Sequence, residues 1–260
     1  MKLFVKTYWK TLAFFVLVGL VGGFFVGIYM LDSSPAELRQ QLLEEMQSLD
    51  LGMLSVDGFI GAITGLQSAG YGLFLGAAGI FLGKKTGLWK DERTLTKKPL
   101  ITSLVASIVG GLALILPDIL FFGKHVQAIM DSYAVKPTIP YLIATVAYGG
   151  VIEEVMLRLF MMSLVAFILY MLFGRKQEKP TTGILICANV VAALLFAAGH
   201  LPATAAMMGL TPMIVFRCFL LNGGFGLLFG WLYRKYGLRY AMIAHGGSHV
   251  VSKLIWILFV

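Results

Sequence analysis

Charge is what this 260-residue chain has little of: Asp, Glu, Lys and Arg make up 13% of it, against 58% hydrophobic residues, with a mean hydropathy of +0.85. A soluble globular domain carries about a quarter of its residues charged, so that class is excluded. Cysteine is scarcer still. Cys187 and Cys218 both fall inside apolar runs, and their spacing suits neither a metal knuckle nor a disulfide framework. They read as small packing residues. No internal repeat or low-complexity tract appears, which removes the usual pointer to a transporter made of inverted halves.

Long hydrophobic runs are abundant. A transmembrane helix needs about 20 mostly apolar residues, and such windows recur near 11–30, 59–83, 100–122, 139–173, 183–200, 213–233 and 240–260. The expected fold is all-α, a polytopic transmembrane helical bundle of seven to eight spans, with no sequence left over for a soluble domain.

The formal charge of +8 sits in short segments between these runs: Lys2, Lys6 and Lys10; Lys84 to Lys98, including Arg93; Arg175, Lys176 and Lys179; Arg234, Lys235 and Arg239. If the spans alternate, every cluster falls on one side, as the positive-inside rule requires of a chain with a cytoplasmic N-terminus. Such placement marks a multi-pass cell-membrane protein in a lipid bilayer and argues against nucleic acid as a partner. The loop from Asp32 to Asp57, with Glu37, Glu44, Glu45 and Asp50 against Arg39, belongs outside. The first run is too long for a secretory signal and lacks a small-residue cleavage pattern, so it reads as an uncleaved anchor. Within the outer loop, Ser34, Pro35 and Glu37 supply a helix start, predicting a surface helix near 35–50 with Leu38, Leu42, Met46 and Leu49 on its apolar face.

An ionisable side chain at membrane depth costs about 2.5–3.5 kcal/mol even on lenient insertion scales, so those present mark function or pairing. In "GGVIEEVMLRLF", Glu154 and Arg158 lie four apart and share a helix face, which leaves Glu153 free. Three of the four histidines fall in late apolar segments: His200 closes "FAAGH", and His245 and His249 bound "HGGSH" on one helix face. Among the remaining polar residues, Asn222 and Arg217 suit interhelical hydrogen bonds, Asp118 an interfacial position, and His125 a loop. Gln67 and Asn189 carry no motif.

Two chemistries fit. Glu153 and His200 can deprotonate a water while His245 and His249 donate to an oxyanion. Alternatively, His200, His245 and His249 can hold zinc with a glutamate as fourth ligand or base. The absence of "HExxH", and an arginine already beside the glutamates, favour the first, which needs no cofactor.

"EEVMLR" (Glu153, Glu154, Arg158), "FAAGH" (Phe196, His200) and "HGGSH" (His245, His249), in that order, resemble the EExxxR, FxxxH and HxxxN signatures of the CPBP family. These are the Abi-type intramembrane glutamic endopeptidases related to the CAAX-prenyl protease. The likeness covers residues 139–260, a catalytic helical core, and leaves 1–138 as a variable membrane region. It implies a metal-independent hydrolase in which Glu153 and His200 activate water, Glu154 assists or is held by Arg158, and Phe196 supports. His245 and the residue four later would form the oxyanion hole. His249 stands where asparagine is usual; a neutral histidine still donates one hydrogen bond, although histidine is also the better zinc ligand. The implied substrates are membrane-associated peptides or proteins, and prokaryotic members of the family are linked to peptide maturation and bacteriocin immunity. A non-enzymatic immunity or transport protein using the same buried charges is the other class of reading.

One expectation conflicts with the rest. Upright alternating spans would leave His200 and His245 separated in depth by roughly 10 Å or more at 1.5 Å per residue. A break at Gly149-Gly150, lining a cavity, is the expected remedy.

Overall fold

Each apolar run becomes a helix because a backbone in hydrocarbon must satisfy its own hydrogen bonds. In the computed structural model, which describes residues 2–48, 55–91 and 94–260, ten helices follow in order and no strand occurs among the described residues. They are α1 (Lys2–Asp32), α2 (Ala36–Ser48), α3 (Val56–Thr86), α4 (Lys97–His125), α5 (Gln127–Ala134), α6 (Ile139–Gly174), α7 (Thr182–Gly199), α8 (Leu201–Met208), α9 (Pro212–Tyr236) and α10 (Leu238–Phe259). Seven segments are long and apolar enough to cross a membrane: α1, α3, α4, α6, α7 with α8, α9 and α10. The chain is a multi-pass membrane protein.

The α6 helix stands at the centre, packed on α1, α3, α7 and α10. Its Val155, Leu159 and Met162 join Phe15 of α1, Ile80 of α3, Phe229 and Tyr233 of α9, and Ala241 and Ala244 of α10 in one buried cluster. Lipid is as apolar as leucine, so close fit rather than the hydrophobic effect holds such helices together. The α1–α3 contact shows how. Gly19, Gly23 and Gly27, spaced four apart, let α3 approach until the Thr64 hydroxyl donates to the Gly23 carbonyl at 2.8 Å. Large apolar side chains such as Phe14, Leu17 and Phe74 point outward instead, as lipid-facing positions do.

Two connections set the geometry of the second half. Thr138 caps α6 by accepting from the Tyr141 amide, with Pro140 in the first turn. Gly237 alone joins α9 to α10 at φ 109°, a left-handed conformation that favours glycine.

The expected break at Gly149-Gly150 is overturned. The α6 helix runs unbroken for 36 residues, and from Ala144 to Met162 it is wound as a π-helix. The i→i+5 winding takes more residues per turn, so a run too long for one ordinary span still fits without a break. The surface helix is present as α2, but its start differs from the expected capping. The Ser34 hydroxyl donates back to the Met30 carbonyl at 2.6 Å rather than accepting from the new helix. Leu42 and Met46 pack on Leu31, Val56 and Phe59, while Leu38 is exposed. Arg39 ties α2 to Asp57 at 2.6 Å and Asp32 at 3.6 Å. Leu49, Asp50 and Arg93 lie outside the described residues.

Candidate active site

The close approach that builds the site is between α6 and α10. A Cβ on Gly150 would lie 2.8 Å from the Gly246 Cα, so the two backbones touch with no side chain between them. That contact puts Glu153, one turn along α6, beside His245. A Cβ on Gly149 would sit 3.1 Å from His249 Nε2, so this glycine clears the space the second histidine of α10 occupies. The glycine pair therefore serves approach, where the sequence had suggested a break.

Glu153 lies between two imidazoles. Its Oε1 is 4.0 Å from His200 Nε2 and its Oε2 is 3.9 Å from His245 Nε2. The depth separation expected from upright spans is thereby corrected: spans tilt by about 20° on average, and three side chains reaching inward close the gap. Both separations exceed a direct hydrogen bond and match a pair of groups bridged by one water. The Glu153 side chain retains 19% exposure and that of His200 34%, whereas Glu154 is fully buried and Arg158 nearly so. Of the two adjacent glutamates, Glu153 is the one open to a reactant.

Glu154 has a different task. Its Oε1 accepts from His245 Nδ1 at 2.8 Å and lies 3.1 Å from Arg158 Nη1. One carboxylate oxygen thus joins the arginine of its own helix to the histidine of α10. The sequence showed the arginine partner through the four-residue spacing, and it could not show the histidine, 91 residues away. The Nδ1–H donation fixes the ring so that Nε2 faces Glu153. His200 is oriented in the same sense: its Nδ1 donates to the Phe196 carbonyl at 2.8 Å, which leaves Nε2 as the basic nitrogen.

Aromatic rings wall the cluster. Phe229 stacks on His245 with centroids 4.5 Å apart, and Phe196 meets His200 edge-on at 4.7 Å. The Arg158 guanidinium lies over Phe196 at 4.4 Å and near Phe229 at 5.5 Å. Such cation–π contact offsets part of the cost of burying it. Even so, Arg158 Nη1 and Nη2, Glu154 Oε2 and His249 Nδ1 have no hydrogen-bond partner among the described residues. Buried polar atoms left in this state are costly and gather where a structure serves chemistry.

The His245 and His249 rings are 5.0 Å apart. The alternative zinc site is not drawn together: among the described residues no group of three or more His, Cys, Asp and Glu is placed to hold a metal. His245 Nδ1 is already taken by Glu154.

The weaker expectations divide. Asp118 is fully buried, and Arg217 binds it through two contacts of 2.5 Å, with the Tyr133 hydroxyl donating at 2.9 Å. Burial beside that carboxylate pushes the Tyr133 phenol well above its usual range. Two lone in-span charges of opposite sign were the available signal. Arg217 is interhelical as expected, while Asn222 donates within its own helix to the Cys218 carbonyl. His125 does the corresponding thing with the Phe121 carbonyl, outside any site.

Residues 135–251, which contain Glu153, His200, His245 and His249, match the family described as Type II CAAX prenyl endopeptidase Rce1-like. Over this segment the chain is similar to that family. The match supports a membrane-embedded CAAX-type protease, a hydrolase with a peptide or protein substrate. No curated protein and no solved structure matches the chain.

Proposed function

We propose that the chain is an intramembrane endopeptidase that hydrolyses peptide bonds of membrane-associated peptides or proteins with a water activated by Glu153 and His200. The observation that carries this reading is that His200 and His245 present their Nε2 atoms to the two oxygens of one carboxylate, at 4.0 and 3.9 Å.

Glu153 takes a proton from the water as its oxygen attacks the carbonyl carbon, and His200 Nε2 is the neighbouring site to which that proton passes. The carbonyl oxygen becomes an oxyanion. His245 donates its Nδ1 hydrogen to Glu154, so it can supply a second hydrogen at Nε2 only as an imidazolium. Arg158 holds the Glu154 carboxylate in place. His249, across from Gly149, supplies the second donor. The C–N bond then breaks as the stored proton is returned to the leaving amine. Positioned acid–base groups of this kind contribute about 10²–10⁴-fold, and a donor to the oxyanion about 10²–10³-fold.

The N-terminus is cytoplasmic in this reading, the site serves the cell membrane, and no metal takes part. Cleavage of a membrane-tethered prenylated peptide by purified protein tests it. Loss of cleavage in both Glu153→Gln and His200→Ala is expected, with full activity after exhaustive chelation. Cleavage by both variants would remove Glu153 and His200 from the mechanism, no cleavage by the unaltered protein would return it to the non-enzymatic class, and loss on chelation would restore the zinc reading.

A further inference from the structure

Gly246, whose Cα meets Gly150, also lines a second and larger space. This groove of about 1170 Å³ runs between α1 and α10 with α6 beneath it, and Glu153, His200, His245 and His249 are not among its lining residues. Its two ends differ in chemistry. Around the mouth stand Lys10 of α1, Lys90 from the loop before α4, and Arg239 of α10, against the single carboxylate of Asp91 among the described residues. Asp91 is already held, by donation from Trp89 Nε1 at 2.6 Å and from the Tyr8 hydroxyl at 3.2 Å. Lys90 donates one hydrogen to the Lys235 carbonyl at 2.6 Å, and an ammonium has two more. Below the mouth the walls turn apolar: Phe14 and Phe15 of α1, Val146 and Val151 of α6, Met242 and Val250 of α10. Phe14 and Val250 are both exposed, so the groove lies open to the bilayer along its side.

We infer that this groove binds an anionic phospholipid, with the phosphate among Lys10, Lys90 and Arg239 and an acyl chain along the apolar walls. Charge and length both point to that occupant. Cations at the level where a chain leaves the hydrocarbon attract anionic headgroups, and a zwitterionic headgroup brings a cation of its own to the same place. From Arg239 to Val250 α10 rises about 17 Å, close to one leaflet of a hydrocarbon core about 30 Å thick. The groove thus takes a lipid from the leaflet at the N-terminal end of α1. Val146 and Val151 belong to α6, and Gly246 to α10, the two helices whose approach builds the candidate site. An acyl chain lying across both braces that approach, and a ligand bound to the folded state alone stabilises it. Nothing in this depends on the protease reading.

Purified protein in a neutral detergent, titrated with phosphatidylglycerol or with phosphatidylcholine of the same acyl chains, supplies the test. Thermal unfolding and mass spectrometry of the intact complex are the readouts. Each cation at a headgroup contributes roughly fivefold, so phosphatidylglycerol should bind more tightly by on the order of tenfold to a hundredfold. It should also be retained through mass analysis and raise the unfolding temperature. Replacing Lys10→Gln and Arg239→Gln together should bring the ratio to about one, since Lys90 then faces Asp91 alone. Met242→Trp, which fills the apolar part, should weaken both lipids alike. Equal binding of the two lipids by the unaltered protein would overturn the assignment, as would a preference that survives the double substitution. The same rise in unfolding temperature with inorganic phosphate would assign the mouth to a free anion instead. Displacement of the lipid by a prenylated peptide whose own binding ignores the double substitution would give the groove to the substrate's lipid chain, and the assignment would fall.

Discussion

Adjacent glutamates of the same chemical type are separated by what surrounds them. Glu153 reaches accessible space between two Nε2 atoms, and Glu154 is sealed between Arg158 and His245. Their glutamine variants should therefore fail differently. Glu153→Gln should lower kcat by about 10²–10⁴-fold with little change in folding, read by cleavage and thermal unfolding in detergent. Glu154→Gln should instead destabilise the bundle by about 3–5 kcal/mol, because it leaves the buried Arg158 charge uncompensated. Equal loss of activity with unchanged stability in both would contradict this division. The relative freedom of Glu153 was legible from helical phase alone, and the burial of Glu154 agrees with it. The bond from Glu154 to His245 was not legible, since nothing local to either residue encodes a partner on another helix.

At the scale of the element, hydropathy revealed the spans but not their winding or inclination. Apolar run length is set by the bilayer and is written in composition, whereas the π-winding of α6 depends on what packs around it. The glycines illustrate the limit. A Gly-Gly pair in a long run is compatible with a break or with a close approach, and only the position of Gly246 decides for approach. Gly150→Ala should push α6 and α10 apart. A displacement near 1 Å at reacting groups costs about 10²-fold, so kcat should fall by that order while Glu153, His200 and His245 all remain. An alanine variant with unaltered turnover would show that the helices need not touch. The Asp118–Arg217 pair joins α4 to α9, the helix that carries Phe229 against His245. Asp118→Asn should lower the unfolding temperature measurably, because Arg217 then loses its charged partner. A variant that melts with the unaltered protein would make the pair dispensable.

For the molecule as a whole, charge asymmetry was the clearest sequence signal of orientation, and it yields a direct test. In intact cells a membrane-impermeant maleimide should label Gln40→Cys, on helix α2, and not Lys176→Cys, in the loop after α6. The reverse pattern would invert the topology. The three-helix origin of the site was partly legible, because His245 and His249 lie four residues apart along α10 and declare a shared face. Their convergence with α6 and α7 was not, since depth counted along upright helices misplaces residues once the helices lean.

The intrahelical placement of Glu154 and Arg158 also bears on how α6 enters the membrane. Each charge alone would cost about 2.5–3.5 kcal/mol to insert, but the two already lie 3.1 Å apart on one helix and can cross as a pair, before α10 exists to help. Glu153 has no such companion on α6, since both of its imidazoles arrive on later helices. During synthesis Glu153 is therefore the last of the three to find its setting, and the cluster is not assembled until α10, which brings His245, has been inserted.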